Sequence, residues 1–366
     1  MTPLFAHRAA PIGVDYDGRY LRAAQVARAG DGWRLKAATR VPRVTPGENL
    51  GPKDVANLRG TLTRLGFTGR RLVLAAPEEK LAVDTLELPP RGSSAPVDDI
   101  ARTELARTHG YEPTDAEMIG WDLPRSSRTK DMTQVLAVAL RHADADALLD
   151  TFDDAGLEVD VLDTAMGALV RACRGLLAEK GLTAILDCGW DWALLLVLRE
   201  GTVIYRRLMP ENSLRAAAQT IGKNFNLSAE SVDCLLEEVG LAGSVRCERA
   251  ASVPTDAVTT CLRRPLDACA EALQAAFSYA GQMYAGAVPE SALLTGLGAA
   301  IPGVDRRLEA RLNVETQVVI PSDIAPPDPA VTDAARDPAL VATVGLAMAQ
   351  QGSAHAEHES HSVVSA

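Results

Sequence analysis

Long apolar runs are what this sequence most plainly lacks: the longest clean one, Trp192 to Leu198, is far too short to cross a bilayer. Met1 to Pro11 holds no apolar core of the length a secretory signal needs. The chain is therefore expected to be soluble and to meet a membrane only through a partner. Basic charge is short as well. With 37 Lys and Arg against 48 Asp and Glu, the formal charge is -11, and a surface of that sign repels phosphate backbones and anionic headgroups, so nucleic acid is excluded as a direct partner. The six cysteines, Cys173, Cys188, Cys234, Cys247, Cys261 and Cys269, form no C-x-x-C pair. That removes the usual thiol-redox and zinc signatures and suits a reducing cytoplasm, where a thiol packs as a small hydrophobe. Among the histidines, His7, His109 and His142 stand alone, and no Ser, His and Asp set has a nucleophile motif around it. His355, His358 and His361 repeat at three-residue spacing in a polar tail that reads as unstructured rather than as a metal site. No catalytic residue and no metal ligand is assigned.

What is present is enough apolar residue for a sizeable core: 47% of 366 positions, expected to divide into two domains. Ile12 to Tyr16, Tyr20 to Ala27 and Trp33 to Val41 read as a strand meander with glycine turns between them. Helical spacing over Val55, Leu58, Leu62 and Leu65 follows, capped by Gly66, then a strand at Leu72 to Ala76. Residues 81–156 look self-contained, a β-α-β-β-α insert with Asp98 as the N-cap of its first helix and two helices covering one sheet face. A second meander, Leu182 to Asp187, Trp192 to Leu198 and Thr202 to Leu208, returns in the outline of the first. Helices at Ser213 to Phe225 and Ala229 to Val239 precede a long helix opened by Pro265, with Leu266, Ala270, Leu273, Phe277, Ala280 and Tyr284 on one face. Pro321 to Pro329 reads as a surface loop and Pro338 to Gln350 as a closing helix that packs back onto the first domain. The expected organisation is thus 1–80 and 157–186 as a first domain interrupted by the insert 81–156, a second domain over 187–335, a returning helix over 336–350 and a frayed tail over 351–366.

Three strand-end turns are candidates for binding chemistry: Gly13-Val14-Asp15-Tyr16-Asp17-Gly18, Asp187-Cys188-Gly189 and Gly296-Leu297-Gly298. Glycine lets backbone N–H groups approach a phosphate, while a carboxylate can order metal-bound water. Each also has a plainer reading. Asp15 and Asp187 could be turn formers bonding their own backbone, Gly296-Leu297-Gly298 could be a tight strand-to-helix turn, and Trp190 and Trp192, two apart on a strand, would share a buried face.

Over nearly everything from Ile12 to Gln350 the chain resembles the PilM family of actin-like proteins of type IV pilus assembly, and more distantly the FtsA cell-division proteins. The resemblance rests on the insert after the first β-α-β unit, on Gly156-Leu157-Glu158-Val159, on the closing Pro338-Ala339-Leu340-Val341-Ala342-Thr343-Val344-Gly345-Leu346-Ala347 and on the three turns. It implies an α/β, actin-like fold of two related domains around a central cleft, and Asp15, Gly18, Arg22, Asp187, Gly189, Gly296 and Gly298 as the residues that would face ATP and Mg. It further implies a cytoplasmic scaffold peripheral to the inner membrane. That scaffold would dock the cytoplasmic segment of a PilN-like membrane protein in the family's groove between first domain and insert, with self-association left open.

Several positions depart from the family pattern. Asp17 stands where a glycine belongs and would face phosphate with like charge, and Arg22 replaces a lysine. Trp190, Asp191 and Trp192 fill places of small residues, Pro210-Glu211-Asn212 replaces a Gly-Gly, and Asp233 and Leu236 replace a Glu-x-x-Lys pair. ATP binding is accordingly expected to be weak or lost. The alternatives are a working ATPase of the same fold, a sugar or acetate kinase relative, or a split component resembling GspL of type II secretion.

Overall fold

The computed structural model describes residues 10–47, 49–126, 132–239 and 255–349. The tail histidines and His7 lie outside them. Contacts divide the chain into two units: one takes the chain up to Ala76, Asp146–Ala172 and Ile320–Ala349, the other Pro77–Ala145 and Cys173–Val319.

In the first unit β1 (Ile12–Tyr16), β2 (Tyr20–Ala29) and β3 (Gly32–Pro42) run antiparallel. Helix α1 (Pro52–Arg64) begins with proline at its first position, where the missing N–H costs nothing, and stops before Gly66 at φ +76°. Strand β4 (Arg71–Ala75) then pairs parallel with β1. The chain leaves for β5 (Ala82–Leu88), α2 (Val97–His109), β6 (Ala116–Asp122) and β7 (Thr133–Arg141), a three-stranded antiparallel sheet ordered β5-β7-β6. It returns through α3 (His142–Asp153), β8 (Glu158–Asp163) and α4 (Ala165–Cys173). The first sheet is ordered β3-β2-β1-β4-β8.

The second unit repeats that plan. Strands β9 (Leu182–Cys188), β10 (Ala193–Arg199) and β11 (Thr202–Met209) form the meander. Helices α5 (Leu214–Phe225), α6 (Ala229–Val239) and α7 (Thr255–Met283) follow, then β12 (Pro289–Thr295), α8 (Val304–Leu312) and β13 (Glu315–Val318). Its sheet, β11-β10-β9-β12-β13, has the same strand order and the same mixture of antiparallel meander and parallel additions. The last described elements, α9 (Pro321–Ile324) and α10 (Val341–Ala347), lie back in the first unit. Among the described residues no helix is long and apolar enough to cross a membrane.

Packing follows the apolar periodicity. Val55, Leu58 and Leu62 of α1 join Leu148 and Phe152 of α3 on one face of the first sheet, while Leu340, Val344 and Ala347 cover Ala24, Val26 and Leu35 on the other. In the second unit Leu266, Ala270, Leu273, Phe277 and Ala280 of α7 lie with Val304 and Leu308 on Leu182, Ala184 and Leu186. A separate helical core gathers Leu214, Ile221, Leu235, Val258 and Leu262.

Several local expectations are corrected. The first insert helix starts at Val97 with Pro96 at the cap position, and Asp98 instead accepts a 2.7 Å bond from Arg91, since a charged partner outcompetes a backbone N–H. One helix, α2, covers the insert sheet, because Leu148 and Phe152 commit α3 to the first sheet. Pro265 lies inside α7, whose earlier turns are held by buried Val258 and Leu262 despite the missing donor. Trp190 and Trp192 sit in the β9–β10 turn, not on a strand. The segment after Pro321 is a short helix that buries Pro321 and Ala325, and β13 is a further strand. Cys173, Cys188, Cys261 and Cys269 are free thiols, and Cys234 is disulfide-bonded.

Below the β1–β2 hairpin lies an ion pair unseen in the sequence. The Arg43 guanidinium donates to Asp54 Oδ2 at 2.9 and 3.2 Å, with side chains 2% and 0% exposed. Asp54 Oδ1 also accepts from the backbone N–H of Val44 and Thr45. Burial pushes the Asp54 carboxyl up, but the Arg43 hydrogen bonds, those backbone N–H groups and the Arg43 charge together hold it below its usual value. A depressed folded value contributes stability that is fully present above the unfolded carboxylate range and is lost as pH falls through the folded value. Asp54→Ala is therefore expected to lower unfolding free energy by about 3–5 kcal/mol at neutral pH, since it strands a buried guanidinium. It should also flatten the stability loss below pH ~4. Denaturant melts across pH check both, and an unchanged midpoint with an unchanged acid limb would overturn the assignment.

The closing helix has no clearance. A Cβ at Gly345 would lie 2.0 Å from the Ala168 carbonyl oxygen, and one at Gly13 would lie 2.3 Å from that of Thr343. Gly345→Ala should cost more than about 4 kcal/mol, the class of backbone clashes that unfold a marginal domain. Hydrogen exchange should show β1 and β4 losing protection first, and a variant as stable as the parent would refute the contact.

Candidate functional site

The first turn folds on itself. In the antiparallel register Asp15 lies directly opposite Arg22, and Arg22 donates to Asp15 Oδ2 at 3.1 Å and to Asp17 Oδ2. Asp17 is 6% exposed, and its Oδ1 accepts the backbone N–H of Arg19 and Tyr20, each at 2.8 Å. Its carboxylate is thus turned into the hairpin and bonded to Arg22, which it shares with Asp15. The Gly18 carbonyl accepts from Gly47 N–H, that of Arg19 from Arg43 N–H, and that of Asp17 from the Arg43 side chain. The turn is stitched to the segment after β3.

In the second unit the structure brings Asp187, Gly189, Gly296 and Gly298 together at the carboxyl ends of the adjacent parallel strands β9 and β12, where ligand sites of open α/β sheets form. Thr295 Oγ1 donates to Asp187 Oδ1 at 2.8 Å. Gly296 has φ +81°, and a Cβ there would be 2.6 Å from Asp187 Oδ1 and 2.8 Å from the Cys188 carbonyl oxygen. A Cβ at Gly298 would be 2.7 Å from Cys188 Cβ, and one at Gly189 2.6 Å from the Trp192 carbonyl oxygen. These glycines are required by the packing of two backbone turns, whatever else they contact. Burial, with the Cys269 and Asp187 charges added, pushes the Cys188 thiol well above its ordinary value, and burial likewise lifts Cys173 to about 12. Neither is a nucleophile at neutral pH.

Helix α5 starts beside this cluster. A free helix N-terminus presents four donors without helical partners and is a ready anion site. Here Ser213 N–H donates to the Pro210 carbonyl at 3.2 Å, Leu214 N–H to Gly189 at 3.3 Å and Arg215 N–H to Trp190 at 2.9 Å, while Ala216 N–H donates to Ser213 Oγ at 3.3 Å. The Arg215 side chain pairs with Asp191 at 3.3 Å, and Trp190 packs on the helical core of Leu214, Ile221 and Leu235. Leu236 joins that core too.

Sequence reasoning placed Asp15, Gly18 and Arg22 in one turn and Asp187, Gly189, Gly296 and Gly298 in another cluster, and the structure gathers each set within its own unit. It missed the Asp15–Arg22 cross-strand pair, which hairpin counting from Asp17-Gly18 would have revealed, and the Ser213 cap of α5, a serine just ahead of an amphipathic run. It also missed Asp163 at the end of β8, whose carboxylate accepts Thr164 N–H and Arg171. Among the described residues no group of three or more His, Cys, Asp or Glu is arranged to hold a metal ion.

The profile of the family described as type IV pilus assembly protein PilM matches residues 115–351. Among solved structures, a PilM-PilN type IV pilus biogenesis complex superposes with a TM-score of 0.74 at 20% identity, covering 93% of this chain and 98% of that one. The ethanolamine utilization protein EutJ from Carboxydothermus hydrogenoformans superposes at 0.52 with 14% identity, covering 93% of this chain and 90% of its own. No curated protein matches the sequence. The duplicated sheets, the insert after β4 and the family profile over more than half its length agree: this chain has the actin-like fold and belongs to the PilM family of type IV pilus assembly proteins.

Proposed function

We propose that the chain is a cytoplasmic scaffold of the pilus inner-membrane platform, docking a PilN-like membrane protein and no longer depending on nucleotide. The observation that carries the nucleotide half is the start of α5, whose four unpaired helix donors all bond to the chain's own oxygens. A phosphate would have to displace the carbonyls of Gly189 and Trp190 and the Ser213 hydroxyl, and each lost bond costs about 0.5–1.5 kcal/mol before anything is gained. Arg22, the cation of the first turn, is already shared by Asp15 and Asp17. The residues present therefore fit ATP and Mg poorly. The working-ATPase alternative draws on the Asp187, Thr295, Gly296 and Gly298 cluster, which keeps the shape of a strand-end site.

Calorimetry with Mg-ATP separates the two. The scaffold reading expects no binding tighter than roughly 0.1 mM, about -5.5 kcal/mol, and no rise in melting temperature at millimolar nucleotide. Tight binding lost in Asp187→Ala would install the ATPase reading instead.

The docking half draws support from the pilus family and from the insert, whose β6 leaves Ile119 55% exposed on the sheet face opposite α2. We place the partner's contacts on this insert. Replacing residues 82–141 by a short linker, which spares the α3 side chains Leu148 and Phe152, should leave the first sheet folded by circular dichroism and abolish capture of the partner's cytoplasmic segment in a pull-down. A folded excision variant that still captured the segment would refute the placement. Expressed alone, the intact chain should fractionate away from lipid vesicles.

A further inference from the structure

The insert leaves the first unit just after β4 and returns to it through α3, yet it clusters with the second sheet. One buried contact ties the outgoing crossing to that sheet. At the outgoing crossing, a single 3-10 turn over Glu78–Lys80 carries Glu78 into the protein, where its carboxylate pairs with the Arg206 guanidinium on β11. The side chains are 2% and 9% exposed. Arg206 Nε is buried without a partner, so among the described residues Glu78 is what holds the charge of that guanidinium. At the same crossing Asp144, in the first turn of α3, accepts from Lys80 at 3.5 Å and from Arg141 at 2.8 Å, which clips the outgoing and returning chain together. Those two cations are half exposed, and such surface pairs hold little. The buried pair is the one whose loss leaves an uncompensated charge.

We propose that Glu78–Arg206 is a latch that makes the insert move as one body with the second sheet, so that a load applied to the insert passes to β11 instead of ending at the two crossings. Two short chain crossings alone act as a hinge. A buried charge pair beside one of them removes the hinge freedom, because opening it would take the Arg206 guanidinium away from its carboxylate in low dielectric. Among the described residues β11 is the edge strand of its sheet, with no further strand beyond it. The latch works whatever the insert binds.

The test uses the full chain. Spin labels at Ile119 and Val288, both more than half exposed, are introduced in a Cys261→Ser background and their distance distribution measured in the parent, Glu78→Gln, Arg206→Met and Arg206→Lys. The parent should give one narrow distribution, and Glu78→Gln and Arg206→Met a distribution broader by about twofold or more, with Arg206→Lys between, since lysine keeps the charge without the fork. Hydrogen exchange should quicken about tenfold over 77–81 and 141–145 while α8 and β13 keep parental protection, the signature of local rather than global opening. Equal widths and equal exchange in every variant would overturn the latch. So would protection lost evenly through α8 and β13, which marks a general contribution to stability. Should Glu78→Gln fail to fold, Arg206→Lys supplies the same comparison.

Discussion

The architecture depends on α10 lying at backbone contact between the first sheet and α4. All seven of its residues are buried, and the two glycines that touch it, Gly13 below and its own Gly345 above, leave no room for a methyl group. Dispersion falls steeply with separation, so a helix held this close gains contacts along its whole backbone and tolerates no larger residue at either point. The consequence is topological. Residues from the last part of the chain complete a core begun by the first strand, so β1, β2 and β4 are covered on that face only when the chain returns. The Arg171 side chain fixes the register by donating to the Gly345 carbonyl while also pairing with Asp163.

The second unit meets the same requirement with different parts. Its strand-end glycines, Gly296 and Gly298, are pressed on Asp187 and Cys188 rather than on a helix. The two halves thus share strand order and the use of glycine for backbone approach, and they diverge in what fills the ends of the strands. In the first it is an arginine between two carboxylates. In the second it is a turn whose carbonyls cap α5 and whose tryptophan enters the helical core. The frame, set by backbone geometry, recurs in both units, while the polar strand ends differ.

That distinction explains what could be read from the sequence. The meanders were legible because apolar alternation ends at glycines whose positive φ the structure shows, as at Gly30 and Gly201. The fold followed from their repetition. β13 was illegible because Glu315-Thr316-Gln317-Val318 is a short polar edge strand whose pairing with β12, not its composition, makes it a strand. Pro265 misled because its local preference for a helix start was outweighed by burial of Val258 and Leu262. The candidate turns were found, since Asp and Gly at strand ends are a local pattern. Their wiring was not, because whether Asp17 points outward or back at Arg22 depends on a register five residues away, and whether α5 offers the N–H groups of Leu214 and Arg215 depends on the carbonyls of Gly189 and Trp190 far upstream.

Charge placement carries the same logic one step further. With an excess of acids, the protein nevertheless holds arginines in buried ion pairs at three places beside a turn or crossing: Arg22 on β2 next to the β1–β2 turn, Arg43 after β3 and Arg206 on β11 opposite the outgoing insert crossing. A buried pair adds little net stability over an apolar one, because desolvation offsets most of its Coulomb attraction. What it does supply is discrimination, since every alternative arrangement of the turn leaves a charge unpaired in low dielectric. Strand-end turns are the parts of an α/β frame least constrained by packing and most often given over to ligands. In this chain those turns are held by internal ion pairs and caps, at Arg22 in the first unit and at Ser213 in the second.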